Sequence, residues 1–268
     1  MAMDLGSLIG VILTIGSLLG GILMAIDMQM ELLQLYVDGA SVVIVFVGSF
    51  GSALWSTPMN RVIIGLKAIT KTFKPPNLDP QQAIKNIIDL ANLARRESLL
   101  ALEEPVKNMG DSFLSKGIML VVDGLDQELV RNVLQTEIEY IEARHKDVRG
   151  FWDYWGGCAP SWGMFGTLIG LINMLANLDD PSSLGGNMAT CIITTFYGSI
   201  VSTAVTGPVS NKLKIFSNDE MLVKEVLIEG ILSIQAGDNP RVIEEKLKSF
   251  LSPVLRNEKA DPAAAAAE

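Results

Sequence analysis

Four stretches of this chain, residues 5–26, 39–60, 155–178 and 181–211, contain no Asp, Glu, Lys, Arg or His. Each is about as long as the ~20 residues a helix needs to cross ~30 Å of hydrocarbon. No water is available at that depth, so a spanning segment must satisfy its own backbone polar groups, as a helix does. A β-barrel is excluded, because the runs are continuous rather than alternating and too few. The sequence therefore predicts an all-α membrane protein with four transmembrane helices. Only 19% of the 268 residues are charged against 49% hydrophobic, a balance foreign to a soluble domain of this length. The first stretch has no basic leader and no small-residue cleavage site before the acidic run from Asp27 to Glu31. It reads as a retained span rather than a signal peptide.

Charge placement gives the topology. The short connections around Asp27, Glu31 and Asp38, and around Asp179 and Asp180, carry no Lys or Arg. All 21 basic residues lie either between Arg61 and Arg149 or from Lys212 onward. The positive-inside tendency then puts both long polar segments and both termini in the cytoplasm, with Arg61, Lys67, Arg149, Lys212 and Lys214 nearest the membrane. The expected organisation is spans 1 and 2 in 1–60, a cytoplasmic helical domain in 61–150 and spans 3 and 4 in 151–211. A cytoplasmic helical tail in 212–260 and a low-complexity, disordered tail in 261–268 follow. The net charge of −9 belongs to solvated loops, and no basic cluster supports a nucleic-acid partner.

Within the polar segments, Asp79-Pro80 is an N-cap followed by proline at the first helical position. Ile84, Ile87, Ile88, Leu90 and Leu93 then recur at helical spacing, as do Leu99, Leu100 and Leu102, up to a break or kink at Pro105. Further helices are expected from Phe113 to the Asp123-Gly124 turn, from Gln127 to Arg149, from Asp219 to Gln235 and from Pro240 to Phe250. In the membrane, Gly6 and Gly10, and likewise Gly16 and Gly20, stand four apart in an otherwise lipid-facing span 1, where they could admit a second helix. Span 2 is also expected to face lipid.

Spans 3 and 4 differ. Gly163, Gly166, Thr167, Gly170, Asn173 and Asn177 share one helical stripe; Cys191, Thr194, Thr195, Gly198, Ser199, Ser202 and Thr206 share another. Such stripes are either a helix–helix packing surface or the oxygen-rich wall of a hydrated cation path. No span carries a carboxylate, histidine or basic residue, so if ions pass, a partner helix must bring the charge. Pro160 and Pro208 near the cytoplasmic ends each remove a backbone donor and can act as bends or hinges. Cys158 and Cys191 read as small apolar packers, since no ligand spacing surrounds them. His145, the only histidine, reads as a surface residue. No phosphate loop, metal constellation or nucleophile motif is present, so neither an enzyme nor a bound cofactor is expected.

Four motifs together resemble the MotA/PomA family of flagellar stator A subunits, within the MotA/TolQ/ExbB group. They are ARRESLLALEE at 94–104, MLVVDG at 119–124, PSWGMFGTLIGL at 160–171, and TTFYG at 194–198 followed by PVSNKL at 208–213. The likeness extends over nearly the whole chain. It implies a ring of five A subunits in the bacterial inner membrane around two MotB/PomB-type subunits, which bind peptidoglycan. The single transmembrane helix of each B subunit carries an essential Asp. It also implies ion-driven rotation that pushes on the rotor protein FliG. By motif, Arg95 and Glu103 are the rotor-facing charges and Arg96 and Glu104 accessory ones, about 12 Å apart on one charged helix. Pro160 and Pro208 match the two functionally sensitive prolines. Thr167 and Thr195 match sodium-type members, and Thr194 a threonine common to both ion types, so the expected ion is Na⁺. The alternatives are a proton-coupled stator subunit, a non-conducting membrane scaffold, and an ExbB-like energising subunit, whose three spans fit poorly.

Overall fold

The computed structural model describes residues 4–74, 76, 78–179 and 181–251, at 181–183 the backbone alone. The expected tail at 261–268 and residues 252–260 of the expected helical tail lie outside these residues, while the helix expected over 240–250 is Pro240–Lys248. Every regular element among the described residues is helical, and four helices are long and apolar enough to span a bilayer. The protein is an all-α membrane protein with four transmembrane helices.

The chain divides into two compact units. The membrane unit comprises Met1–Pro76 and Arg144–Phe216. Span 1, Leu5–Ala25, buries no residue at all. Gly10, Gly16 and Gly20 face open space, so the expected close approach of a helix there is not met within this chain. Span 2, Gly39–Ser56, starts where the Asp38 carboxylate accepts the Ser41 backbone N–H, and it contains a π-turn at Val43–Val47. It does not face lipid all round, as the sequence suggested. Val45, Ser49 and Ala53 are buried, and the Trp162 ring lies where a Cβ on Gly48 would stand. Trp155 and Trp162 donate their indole N–H groups to the hydroxyls of Ser49 and Ser52, at 3.0 and 2.9 Å. An unforeseen helix, Met59–Phe73, follows Pro58 and buries Val62, Gly65 and Ala68. Its apolar positions fall at 62, 65 and 68–69, a period the basic residues Arg61, Lys67 and Lys71 masked. Trp152 ties it down by donating to the Gly65 carbonyl at 3.0 Å.

The polar unit comprises Asn77–Ala143 and Ser217–Glu268. Its core is built from Ile87, Leu90, Leu102, Val106, Leu114, Ile118, Leu134, Leu227, Ile231 and Ile243 among others, all essentially inaccessible. Its helices start on side-chain caps: Asp79 accepts from Gln81 N–H, Asp111 from Phe113 and Leu114 N–H, and Asn239 from Arg241 N–H. Each cap contributes about 1 kcal/mol. Two glutamine amides cross-tie the core, Gln127 donating to the Leu232 carbonyl and Gln235 to that of Leu125.

Two expected boundaries are corrected. No helix ends at Arg149 and none begins at Asp219; the helices are Gln127–Ala176 and, after a π-turn, Gly207–Gln235. Glycines at 150, 156 and 157 weaken a helix by only ~1 kcal/mol each, too little to end one. The single charged helix over 94–104 is also broken. Helix Pro80–Arg96 stops, Ser98 is fully extended, and a 3₁₀ turn, Leu99–Leu102, precedes a short helix, Glu103–Asn108. Pro105 therefore sits in a first turn, where a missing N–H costs nothing, and ends no helix.

The span 3–span 4 seam and the charged edge

Spans 3 and 4 lie within helix Gln127–Ala176 and the 52-residue stretch Leu184–Gln235. They meet along positions that lack a Cβ. A Cβ on Gly163 would fall 2.8 Å from the Thr194 carbonyl oxygen, and one on Gly198 would fall 2.8 Å from that of Ala159. Gly166 receives the Thr194 side chain, Gly170 the Cys191 sulfur, and Gly156 the Thr206 hydroxyl. This is the close backbone packing that small residues permit where lipid offers no hydrophobic driving force. Much of the small-residue stripe is thus a packing seam. Thr194 belongs to it: it is fully buried, and its hydroxyl donates to the Thr190 and Cys191 carbonyls.

A second set of hydroxyls lies outside the seam. Thr195, Ser199 and Thr203 follow one another at four-residue intervals on an exposed face of span 4. Each donates to the carbonyl four residues earlier, at 3.3, 3.0 and 2.7 Å. With its hydrogen committed, each hydroxyl turns acceptor lone pairs outward, in a row about 12 Å long. Thr167, half-buried, likewise donates to Met164 O at 2.7 Å, and its own carbonyl meets the Cys191 thiol. The sequence reading missed Thr203, although the spacing from Thr195 was available to find it. Such a row can coordinate a partly dehydrated cation, yet it has no fixed charge to hold one. Asn173 is exposed, and the Asn177 amide donates to its carbonyl.

Both prolines are exposed. Pro160 lies inside its helix. Pro208 follows the π-turn Val201–Thr206, in which the Gly207 N–H reaches back to Ser202 and the Thr206 hydroxyl donates to Val201 and Ser202 carbonyls. The π-turn absorbs the register change that the missing proline donor forces on the ladder. Just beyond, Asp153 accepts from Ser210 and pairs with Arg149 at 3.1 Å.

The four charges that the 94–104 motif singled out lie in the polar unit. Arg95 and Arg96 end their helix exposed, while Glu103 is half-buried and paired with Lys107 at 2.8 Å; Glu104 is exposed. The turn between them thrusts Leu100 outward, 69% exposed, over a fully buried Leu102. Among the described residues no group of His, Cys, Asp and Glu could hold a metal ion, and both cysteines are free. His145 is half-buried.

Residues 106–226 match the MotA/TolQ/ExbB proton channel family, a stretch that includes the seam and both prolines but not Arg95 to Glu104. The chain is 38% identical over 260 residues to motility protein A of Borreliella burgdorferi, covering 96% of this chain and 97% of that protein. It is also 38% identical over 253 residues to the chemotaxis protein PomA of Vibrio alginolyticus, covering 93% and 96%. Among solved structures, the flagellar MotAB stator complex from Bacillus subtilis superposes with a TM-score of 0.86 at 31% identity, over 96% of this chain and 100% of that one. The seam geometry, the span count and these likenesses agree: the chain belongs to the MotA/TolQ/ExbB proton channel family, as a flagellar stator A subunit.

Proposed function

We propose that this chain couples Na⁺ influx to rotation of a stator ring in the inner membrane, with its polar unit and both termini in the cytoplasm. The observation that carries the reading is the outward acceptor row Thr195–Ser199–Thr203 on a span that has no Asp, Glu, His, Lys or Arg. Oxygen ligands suit a hard cation, and the absent charge is supplied by the transmembrane Asp of a MotB/PomB-type subunit held inside a pentamer of this chain. Thr167 and Thr195 contribute ligands, and Thr194 holds Thr195 in place by filling the seam behind it. Pro160 and Pro208 let the spans bend as the acid loads and unloads. Arg95, Arg96, Glu103 and Glu104 meet FliG.

The test varies external sodium at fixed membrane potential in cells carrying this chain and its partner. Torque should rise with sodium, and Thr195→Ala should lower it. Torque that tracks proton-motive force and ignores sodium would refute the ion assignment. It would leave the proton-coupled reading, which the family's proton channel description favours.

A further inference from the structure

The polar unit holds a cleft beside Arg95 whose chemistry the charged edge alone does not explain. Ala91, Ala94, Leu99 and Ile234 make an apolar floor, and Arg95, Gln235, Gly237 and Asp238 complete the lining. Three of these groups have polar capacity to spare. Arg95 and Asp238 are exposed, and among the described residues neither side chain is in an ion pair or hydrogen bond. The Gln235 amide spends its N–H on Leu125 O at 2.6 Å, but its Oε1 atom is buried with no partner. A buried acceptor without a donor costs about 1–3 kcal/mol, so a donor belongs at Gln235, one of the residues that line the cleft. Gly237, at φ +74°, turns the chain sharply between the amide and the Asp238 carboxylate. Other charges nearby differ: Glu103 is matched by Lys107, and Glu229 by Arg131 and Lys246.

We propose that this cleft is a docking pocket for a long basic side chain of the rotor protein, inserted between Asp238 and the Gln235 amide oxygen, with a neighbouring acidic residue of the same rotor segment set against Arg95. The inference rests on the rotor-facing reading of Arg95 given above and adds the other half of the contact. The apolar floor suits the methylene stem of a lysine or arginine, whose charged end then finds acceptors. Opposite charges on the two rims fix the direction in which the segment lies, because the reversed alignment would set like charges against each other.

The test compares Asp238→Asn, Asp238→Lys and Arg95→Asp in the full stator complex. It reads torque of tethered cells, ion conductance, and binding of purified FliG to the complex in lipid nanodiscs. Asp238→Asn keeps the shape of an exposed side chain and should weaken FliG binding roughly tenfold, the scale of one charge-assisted hydrogen bond. Asp238→Lys should abolish torque, and both variants should leave conductance and membrane abundance unchanged. If Asp238→Lys does not accumulate, the Asp238→Asn binding measurement decides. Wild-type binding and torque in Asp238→Asn and Asp238→Lys, with torque lost in Arg95→Asp, overturns the pocket and keeps the rotor edge. Unchanged torque in Arg95→Asp overturns both. Lowered conductance in Asp238→Asn overturns the pocket too, since a docking residue has no part in ion flow.

Discussion

The seam between spans 3 and 4 and the core of the polar unit are both tightly packed, but by opposite means. In the seam, backbone meets the space of absent Cβ atoms, as Gly163 does at Thr194 and Gly198 at Ala159. In the polar unit, large aliphatic side chains meet one another, Leu134, Ile118 and Ile231 among them, all fully buried. Water drives the second arrangement, because removing apolar surface from it is favourable at about 25 cal/mol per Å². Lipid gives the first no such drive, so close approach and satisfied hydroxyls must supply the attraction. One added methyl should therefore be far more damaging in the seam, and one deleted methylene more damaging in the core.

The largest expected effect breaks the seam. Gly198→Val places its Cβ 2.8 Å from the Ala159 carbonyl oxygen, and neither helix backbone can yield locally. Torque should be absent, and the complex extracted in mild detergent should fail to elute as a single species. Gly157→Ala, at an exposed glycine with nothing within 4 Å of the added atom, is the silent control. A Gly198→Val complex that assembles and turns the motor normally would end the argument that this seam is backbone-packed.

Next comes the core. Leu134→Ala, at a site with no exposure, should cost about 2–5 kcal/mol. Denaturant unfolding of the purified chain, followed through protection of the polar unit from protease, reads that loss. The comparison sharpens if Leu134→Ala lowers this stability while the protein still inserts and assembles. An assembly defect equal to that of Gly198→Val would erase the distinction.

The same contrast explains what could be read in advance. Charge-free runs report directly on hydrocarbon thickness, so four spans and their approximate ends were legible, and so was the Asp79-Pro80 helix start. Which residues of a small-residue stripe face a neighbour was not, because glycine, threonine and serine recur at the same period on both the packed and the open face. Thr194 and Thr195 are adjacent, yet one is sealed in the seam and the other exposed. Only the partner helix decides between them. The break after Arg96 was hidden for a related reason. Leu99, Leu100 and Leu102 keep an apolar pattern that a 3₁₀ turn satisfies as well as an α-helix does, and Ser98 is no strong breaker. The charged edge was found by its motif; Gln235 and Asp238 lie over 130 residues away in sequence, with nothing local to link them to Arg95.

A smaller effect is expected where the seam meets the π-turn. Thr206→Val keeps the shape but removes the hydroxyl that donates to Val201 and Ser202 carbonyls. Ser202 O keeps the Gly207 N–H but loses its second donor, at about 0.5–1.5 kcal/mol, the net worth of one hydrogen bond. Thermal unfolding in detergent should show a lowered midpoint, and Thr206→Ser should restore most of it. Equal stability in all three proteins would mean that the π-turn needs no side-chain support.

The smallest effects separate the units by acid. In the membrane unit Asp4 accepts from Lys212 and Ser7, and the Lys212 bond above all holds its carboxyl at about 2 against an ordinary 3.8. In the polar unit, burial opposes ionisation of Glu229, but Lys246 and Arg131 outweigh it and leave the pKa below 4.5. Both folded values are depressed, so each carboxylate stabilises the fold fully above its unfolded pKa, and the contribution drains away as pH falls towards the folded value. Asp4→Asn and Glu229→Gln should therefore be slightly less stable than the parent at pH 7 and should converge with it in acid. The exposure of the Lys246 partner limits the Glu229 share to about 1 kcal/mol or less. Added salt should shrink the Asp4 difference too, because its pair is open to screening. If instead Asp4→Asn were as destabilising as Gly198→Val, the clamp between the start of span 1 and Lys212 would have to rank with the seam itself as a determinant of membrane-unit packing.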